Sequence, residues 1–235
     1  MCDHHPLDVS RRGFALGAVP LCVGALAQRA FAQAGASPPN AVSPDEALRR
    51  LMEGNQRYAA NNSVIKDFAA GRAARATAQY PRAAVLGCAD SRVAPELAFD
   101  QGPGEVFVVR LAGNFVNDDG LASLEYGVRF LGVPLIMVLG HSNCGAVDAT
   151  IKVLKDDAKL PGHLPELVSS IKPAVEAARK TNASNLLEEA IAENVRHNVA
   201  RLRDAKPIIS EAVTARKIRV VGGVYDLATG VVKLV

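Results

Sequence analysis

Two short stretches of this chain carry side chains whose types and spacing suit chemistry. In GCADSR, residues 87–92, a thiol, a carboxylate and a guanidinium stand at alternate positions: Cys88, Asp90 and Arg92. An extended backbone turns alternate side chains the same way, so the three groups share one side. In LGHSNCGA, residues 139–146, His141 and Cys144 are three apart, close enough for both to hold one ion from a strand-to-helix turn. Two thiolates and an imidazole form a zinc ligand set, and three protein ligands leave a fourth position for a reactive water. The same two cysteines also fit a single disulfide, the simplest use of a cysteine pair in an exported protein. On spacing alone both readings stand, although a disulfide leaves Asp90 and Arg92 unexplained.

Each cluster directly follows an apolar run. Candidate strands cover 83–87, 106–110, 135–139 and 218–224, and helical patterns separate them. Ser43 followed by Pro44, Asp45 and Glu46 predicts a capped helix running to about Asn61, with Leu48, Leu51, Met52 and Ala59 on one face. Leu121, Leu124, Val128 and Leu131 repeat at helical spacing behind Asp118 and Asp119. Leu187, Ile191, Val195, Val199 and Leu202 do so after a Ser184 cap. Short continuous apolar strands between helices predict an α/β fold with a mostly parallel central sheet flanked by helices. A turn at Thr229 and Gly230 adds an edge strand near the C-terminus. In such sheets sites form beyond the carboxyl ends of the strands, which brings Cys88 and the His141–Cys144 pair to the same edge. His163 is expected in a solvated loop, His197 as a structural residue, and Gly222, Gly223 and Tyr225 as a strand end that needs close packing.

Composition narrows the function classes. Of 235 residues, 49% are hydrophobic and 22% charged, which excludes a disordered chain. A net charge of +3 with 5% aromatics and no basic stripe gives no basis for nucleic-acid binding. Arg11 and Arg12 precede an apolar run broken by Gly17, Pro20 and Gly24, and a small-x-small site ends at Ala32. This is the pattern of a cleaved export signal of the twin-arginine type, too short and interrupted for the roughly 18 apolar residues of a membrane span. Residues 1–32 are therefore expected to be a signal peptide, 33–43 a linker and 44–235 one domain that works in the periplasm, off the membrane. Cleavage would remove Cys2 and Cys22 and leave Cys88 and Cys144.

CADSRVAPE, from Cys88, and GHSNCGA, from Gly140, resemble the two signature segments of β-class carbonic anhydrases. EALRRLMEGNQRY, VVRLAGN, SLEYGV and GGVYDLATG extend the resemblance across 44–235. It implies a zinc enzyme that interconverts carbon dioxide and bicarbonate, with Cys88, His141 and Cys144 as zinc ligands. Asp90 and Arg92 match the catalytic pair beside the metal, where Asp90 becomes the fourth ligand in a closed form and Arg92 holds it away in the open one. Gln79, Phe107, Tyr126 and Gly145 match the substrate pocket: Gln79 as a polar residue, Phe107 and Tyr126 as an apolar wall from the second subunit, and Gly145 where a side chain would crowd it. RLAGN replaces the more usual RNIAN and keeps Arg110. A homodimer or larger homo-oligomer is implied, with the N-terminal helix packing on a partner subunit. The family's allosteric subgroup uses a tryptophan, and this chain has none, which favours the plant-like, non-allosteric pocket. Relatives that hydrolyse carbon disulfide or carbonyl sulfide give an alternative substrate class, and a catalytically silent zinc-binding scaffold gives a third reading.

Overall fold

The computed structural model describes residues 38–235; the expected signal peptide lies outside them. Four strands, β1 (Ala83–Gly87), β2 (Val106–Arg110), β3 (Leu135–His141) and β4 (Arg219–Tyr225), form a parallel sheet in the order β2-β1-β3-β4. A short β5 (Val232–Leu234) adds antiparallel to β4 at the edge. Both faces are covered, so β1 and β3 are buried along their whole length, as near-continuous apolar runs require.

Alternation along the strands sorts side chains to two clusters. Val85, Leu135, Met137 and Leu139 meet α1 (Pro44–Ala59) through Ala47 and Leu51. Ala84, Leu86, Ile136 and Val138 face the other way, toward Leu124 of α4 (Asp118–Leu131), Val195, Val199 and Leu202 of α7 (Leu186–Arg203), and Ile209 of α8 (Ile208–Thr214). Two small helices, α2 (Arg72–Arg75) and α3 (Pro95–Ala98), punctuate the loops. Beyond the strand ends, α5 (Gly145–Asp156), α6 (Leu164–Lys180) and α7 enclose a third cluster that contains both Cys88 and Cys144.

Several expectations shift by a residue or two. The Ser43 cap holds, its hydroxyl accepting from Glu46 N, but α1 ends at Ala59, before the left-handed Asn61 (φ 53°). The cap of α7 is Asn185, not Ser184, because its Oδ1 accepts from Leu187 and Glu188 N–H at 3.1 and 3.2 Å. Strand β3 runs on to His141 because β4 continues to pair with it through Gly140↔Val224 and His141↔Tyr225. Within its own chain α1 buries Ala47, Leu51, Gly54 and Asn55. Asn40, in the segment read as linker, is 3% exposed and donates to Leu131 O at 2.6 Å. His163 is exposed, but the chain just after it is helical.

Glycines let α7 lie close on the sheet. A methyl group at Gly222 would meet Val195 Cγ1 at 2.5 Å, and one at Gly140 would meet Val195 Cγ2 at 2.7 Å. Gly222→Ala should therefore overpack this contact and lower stability by about 1–3 kcal/mol. Urea unfolding would show it as a lower midpoint with unchanged slope.

Candidate metal centre

The order β2-β1-β3 makes the chain reverse direction across the sheet between β1 and β3, and a crevice opens where the connections leave these strand ends in opposite directions. Gly87, the last residue of β1, pairs with Leu139 of β3. Cys88 is the next residue along one strand and His141 lies two further along the other. Cys144 then stands at the N-cap of α5, after the left-handed Asn143 (φ 53°) turns the chain. The sulfurs of Cys88 and Cys144 and a ring nitrogen of His141 all lie within 4.8 Å of one another, and among the described residues no other three His, Cys, Asp or Glu groups do so. His141 was expected on a turn; it is the last residue of β3, in register with Tyr225 of β4.

Both cysteines are free thiols, so no disulfide takes up the pair. Cys88, His141 and Cys144 are 3%, 0% and 1% exposed. His141 Nδ1 lies 2.9 Å from Ser142 O, a carbonyl that can only accept. The proton is therefore on Nδ1 and the Nε2 lone pair is free. That Nε2 is buried and has no hydrogen-bond partner. A buried acceptor without a partner is costly, and its position beside two sulfurs fits a cation.

The local field favours anionic sulfur. The Cys88 thiol is drawn down to about 4, first by the neighbouring Cys144 thiol, then by His141 and the N–H groups of Gly113 and Asp90, against the opposing effect of burial. Cys144, beside that sulfur, is pushed up, and burial adds to the rise. Burial disfavours a charged His141, but the nearness and charge of the Cys88 sulfur outweigh it and the ring is shifted up. A divalent cation would replace the protons these groups share.

Asp90 and Arg92 form one unit beside this set. Arg92 Nε donates to Asp90 Oδ1 at 2.9 Å and Nη2 to Oδ2 at 2.7 Å, a bidentate pair, and the Arg92 backbone N–H adds a third bond at 3.0 Å. Arg92 holds the Asp90 carboxyl well below the usual carboxylate range. Asp90 Oδ2 stands 3.8 Å from His141 Nε2, beside the donor cluster and outside it. Arg110, at the end of β2, donates to the carbonyls of Cys88 at 2.8 Å and Asp90 at 2.7 Å, which fixes the loop backbone.

The profile of the carbonic anhydrase family matches residues 83–232. The chain is 41% identical over 194 residues to a carbonic anhydrase of Mycolicibacterium smegmatis, covering 82% of this chain and 93% of that one. The Coccomyxa β-carbonic anhydrase, solved with acetazolamide, superposes with a TM-score of 0.61 at 31% identity, over 80% of this chain and 86% of that one. One of two tetrameric β-carbonic anhydrases of Sordaria macrospora gives 0.62 at 27% identity, over 70% and 85%. This chain belongs to the β-class carbonic anhydrase family. The carbonic anhydrases of this class are zinc enzymes, and the two thiols and the free imidazole nitrogen fit that ion.

Of the remaining pocket residues, Gln79, Phe107 and Tyr126 lie away from the metal cluster, and Gly145 directly follows Cys144. Phe107 sits near the start of β2, level with Ala84 and so away from the carboxyl end that carries Cys88. It stacks on Tyr126 with ring centroids 6.4 Å apart. Gln79 and Tyr126 line a hollow of about 660 Å³ with Arg75, Pro103 and Gly104, and no metal-site residue borders it. Gly145 is the exposed first residue of α5, and within this chain a methyl group there would meet no atom within 4 Å. Gly113, which sequence reasoning passed over inside VVRLAGN, donates its N–H to Cys88 Sγ at 3.2 Å. Its only sequence signal was a glycine just past a strand end.

His141→Ala should take zinc from about one per chain to a small fraction of that after dialysis, since two thiolates alone leave the tetrahedral set half filled. Elemental analysis beside the unaltered protein would read it, with circular dichroism to confirm folding.

Proposed function

We propose that this carbonic anhydrase relative hydrates carbon dioxide reversibly to bicarbonate and a proton, with zinc held by Cys88, His141 and Cys144. The observation that carries this reading is the unpartnered Nε2 of His141 facing two buried thiols in a chain of this family. Zinc in such a site supplies a Lewis acid that lowers the pKa of water from 15.7 to about 7. The work of the surrounding residues follows from their contacts. Asp90, kept ionised by Arg92, offers Oδ2 as an acceptor that orients a donor beside the ligand set. The two guanidinium bonds also restrain the carboxylate from joining the set as a fourth ligand, the closed form that this family relationship suggests.

The reading extends to assembly. Gln79, Phe107 and Tyr126 stand apart from this chain's own metal cluster, Tyr126 and Phe130 are 47% and 73% exposed, and their rings stack 5.3 Å apart. These residues would complete the site of a second copy, in a homodimer or a larger assembly. The absence of tryptophan supports a plant-like pocket without the allosteric bicarbonate site. Export to the periplasm rests on the paired arginines and the small-residue cleavage pattern before residue 33.

Stopped-flow hydration of carbon dioxide between about pH 7 and 9, with zinc measured on the same sample, tests the function. Rapid hydration by protein carrying about one zinc per chain is the expected result. Zinc without hydration overturns it and turns attention to carbon disulfide or carbonyl sulfide; no zinc at all overturns the metal assignment. Arg92→Ala should keep its zinc and lose about 10–100-fold in kcat/KM, the usual cost of removing a partner of the metal's immediate surroundings. Full activity in that variant would remove Arg92 from the mechanism.

A further inference from the structure

The hydrogen bond from Gly113 to Cys88 has a support of its own, built from two buried amides on α7. After β2 the chain makes a turn in which Asn114 N–H reaches Leu111 O at 2.9 Å, with Gly113 at φ +84°. A side chain there is excluded twice, by that φ and by Ile171 Cδ1, which a methyl group would meet at 2.5 Å. Glycine is also the residue least able to fix its own peptide orientation. The direction of its N–H has to be imposed from outside.

Asn194 imposes it. Its Nδ2 donates to Gly113 O at 2.7 Å, on the far side of the residue whose N–H meets Cys88 Sγ at 3.2 Å. Asn198, one helical turn on, donates from Nδ2 to Asn194 O at 2.8 Å and to Asn194 Oδ1 at 3.2 Å, and its Oδ1 accepts from Val116 N–H at 2.8 Å. Both asparagines are 0% exposed. They interrupt a helix face that otherwise buries Ile191, Val195, Val199 and Leu202. Buried amides cost free energy unless fully paired, and here their bonds beyond the helix go to the loop between β2 and α4. The arrangement is a brace for that loop, whose inward bonds run from Leu111 to the backbone of Gly87 and Ala89 and from Gly113 to the sulfur of Cys88.

We propose that Asn194, backed by Asn198, is a positioning residue of the metal centre: it holds Gly113 so that its N–H stays on Cys88 Sγ and tempers that sulfur as a ligand. This rests on the reading of Cys88, His141 and Cys144 as zinc ligands. An N–H donated to a thiolate withdraws charge from it and fixes its direction, two ways in which groups beyond the ligands tune a metal site. With two thiolates in the set, one such donor offsets part of the negative charge they place on the metal.

The test compares Asn194→Ser, whose hydroxyl is too short to reach Gly113 O, with Leu202→Ala. Leu202 lies with Ile136 and Val138 in the cluster on the sheet face, apart from the one that holds Cys88. Leu202→Ala therefore reports loss of stability alone. Zinc release to a chelator and the thiolate-to-cobalt charge-transfer band of the Co(II)-substituted protein are read on both and on the unaltered chain. Asn194→Ser is expected to hold zinc about 10–100-fold less tightly and to move the band to lower energy, while Leu202→Ala changes neither. Equal behaviour of the two variants reduces Asn194 to packing and overturns the proposal. Should Asn194→Ser fail to fold, amide hydrogen exchange on the unaltered zinc protein decides. Gly113 N–H protected as strongly as the N–H groups of β3 supports the brace, and free exchange there overturns it. A chain that takes up neither zinc nor cobalt overturns the metal reading, and this proposal with it.

Discussion

The centre depends first on the register between β1 and β3. Because Gly87 is hydrogen-bonded opposite Leu139, the next residue of one strand and the last of the other emerge side by side. A slip of one residue would turn Cys88 to the other face of the sheet and part it from His141. That register is held by burial on both faces: Val85, Leu135 and Met137 are locked on one side, Leu86, Ile136 and Val138 on the other. The fold therefore enters the chemistry directly, as the device that sets the spacing of two donors 53 positions apart in the chain.

A second layer of control lies in hydrogen bonds rather than packing. Ser142 O fixes the tautomer of His141, Arg92 fixes Asp90, and Arg110 fixes the carbonyls of the Cys88 loop. Ser142 is itself anchored, its N–H to Tyr225 O at 2.9 Å and its hydroxyl to Leu227 N–H at 2.9 Å. On the exposed face of the site the charged groups are Asp90 and Arg92, whose side chains are 16% and 54% exposed. Most of the rigidity is buried, and the open side is left to the pair that has to meet a substrate.

Much of this was legible from residue order. Strands β1 and β2 fall at the expected residues because their apolar runs are bounded by polar or turn-forming neighbours. Strand β3 was read two residues short, since Gly140 and His141 are not apolar and only their pairing with β4 makes them strand. For the helices α5 and α6 residue order set no expectation. Pro165 sits in the first turn of α6, where its missing N–H costs nothing, and Pro173 lies inside it. What no local pattern carried was partnership at long range. Asn194 looks like an ordinary polar residue in a helix until the fold places it against Gly113, 81 positions away.

Arg110 adds side-chain bonds where the backbone already joins β2 to the metal loop, through Leu111 to Gly87 and Ala89. It is the last residue of β2, the strand at the open edge of the sheet, and its guanidinium grips the backbone on both sides of Ala89. The edge strand and the loop that carries Cys88 and Asp90 therefore behave as a single lever. A displacement of the edge strand would reach the metal loop through these two charged hydrogen bonds as well as through the backbone bonds of Leu111 to Gly87 and Ala89.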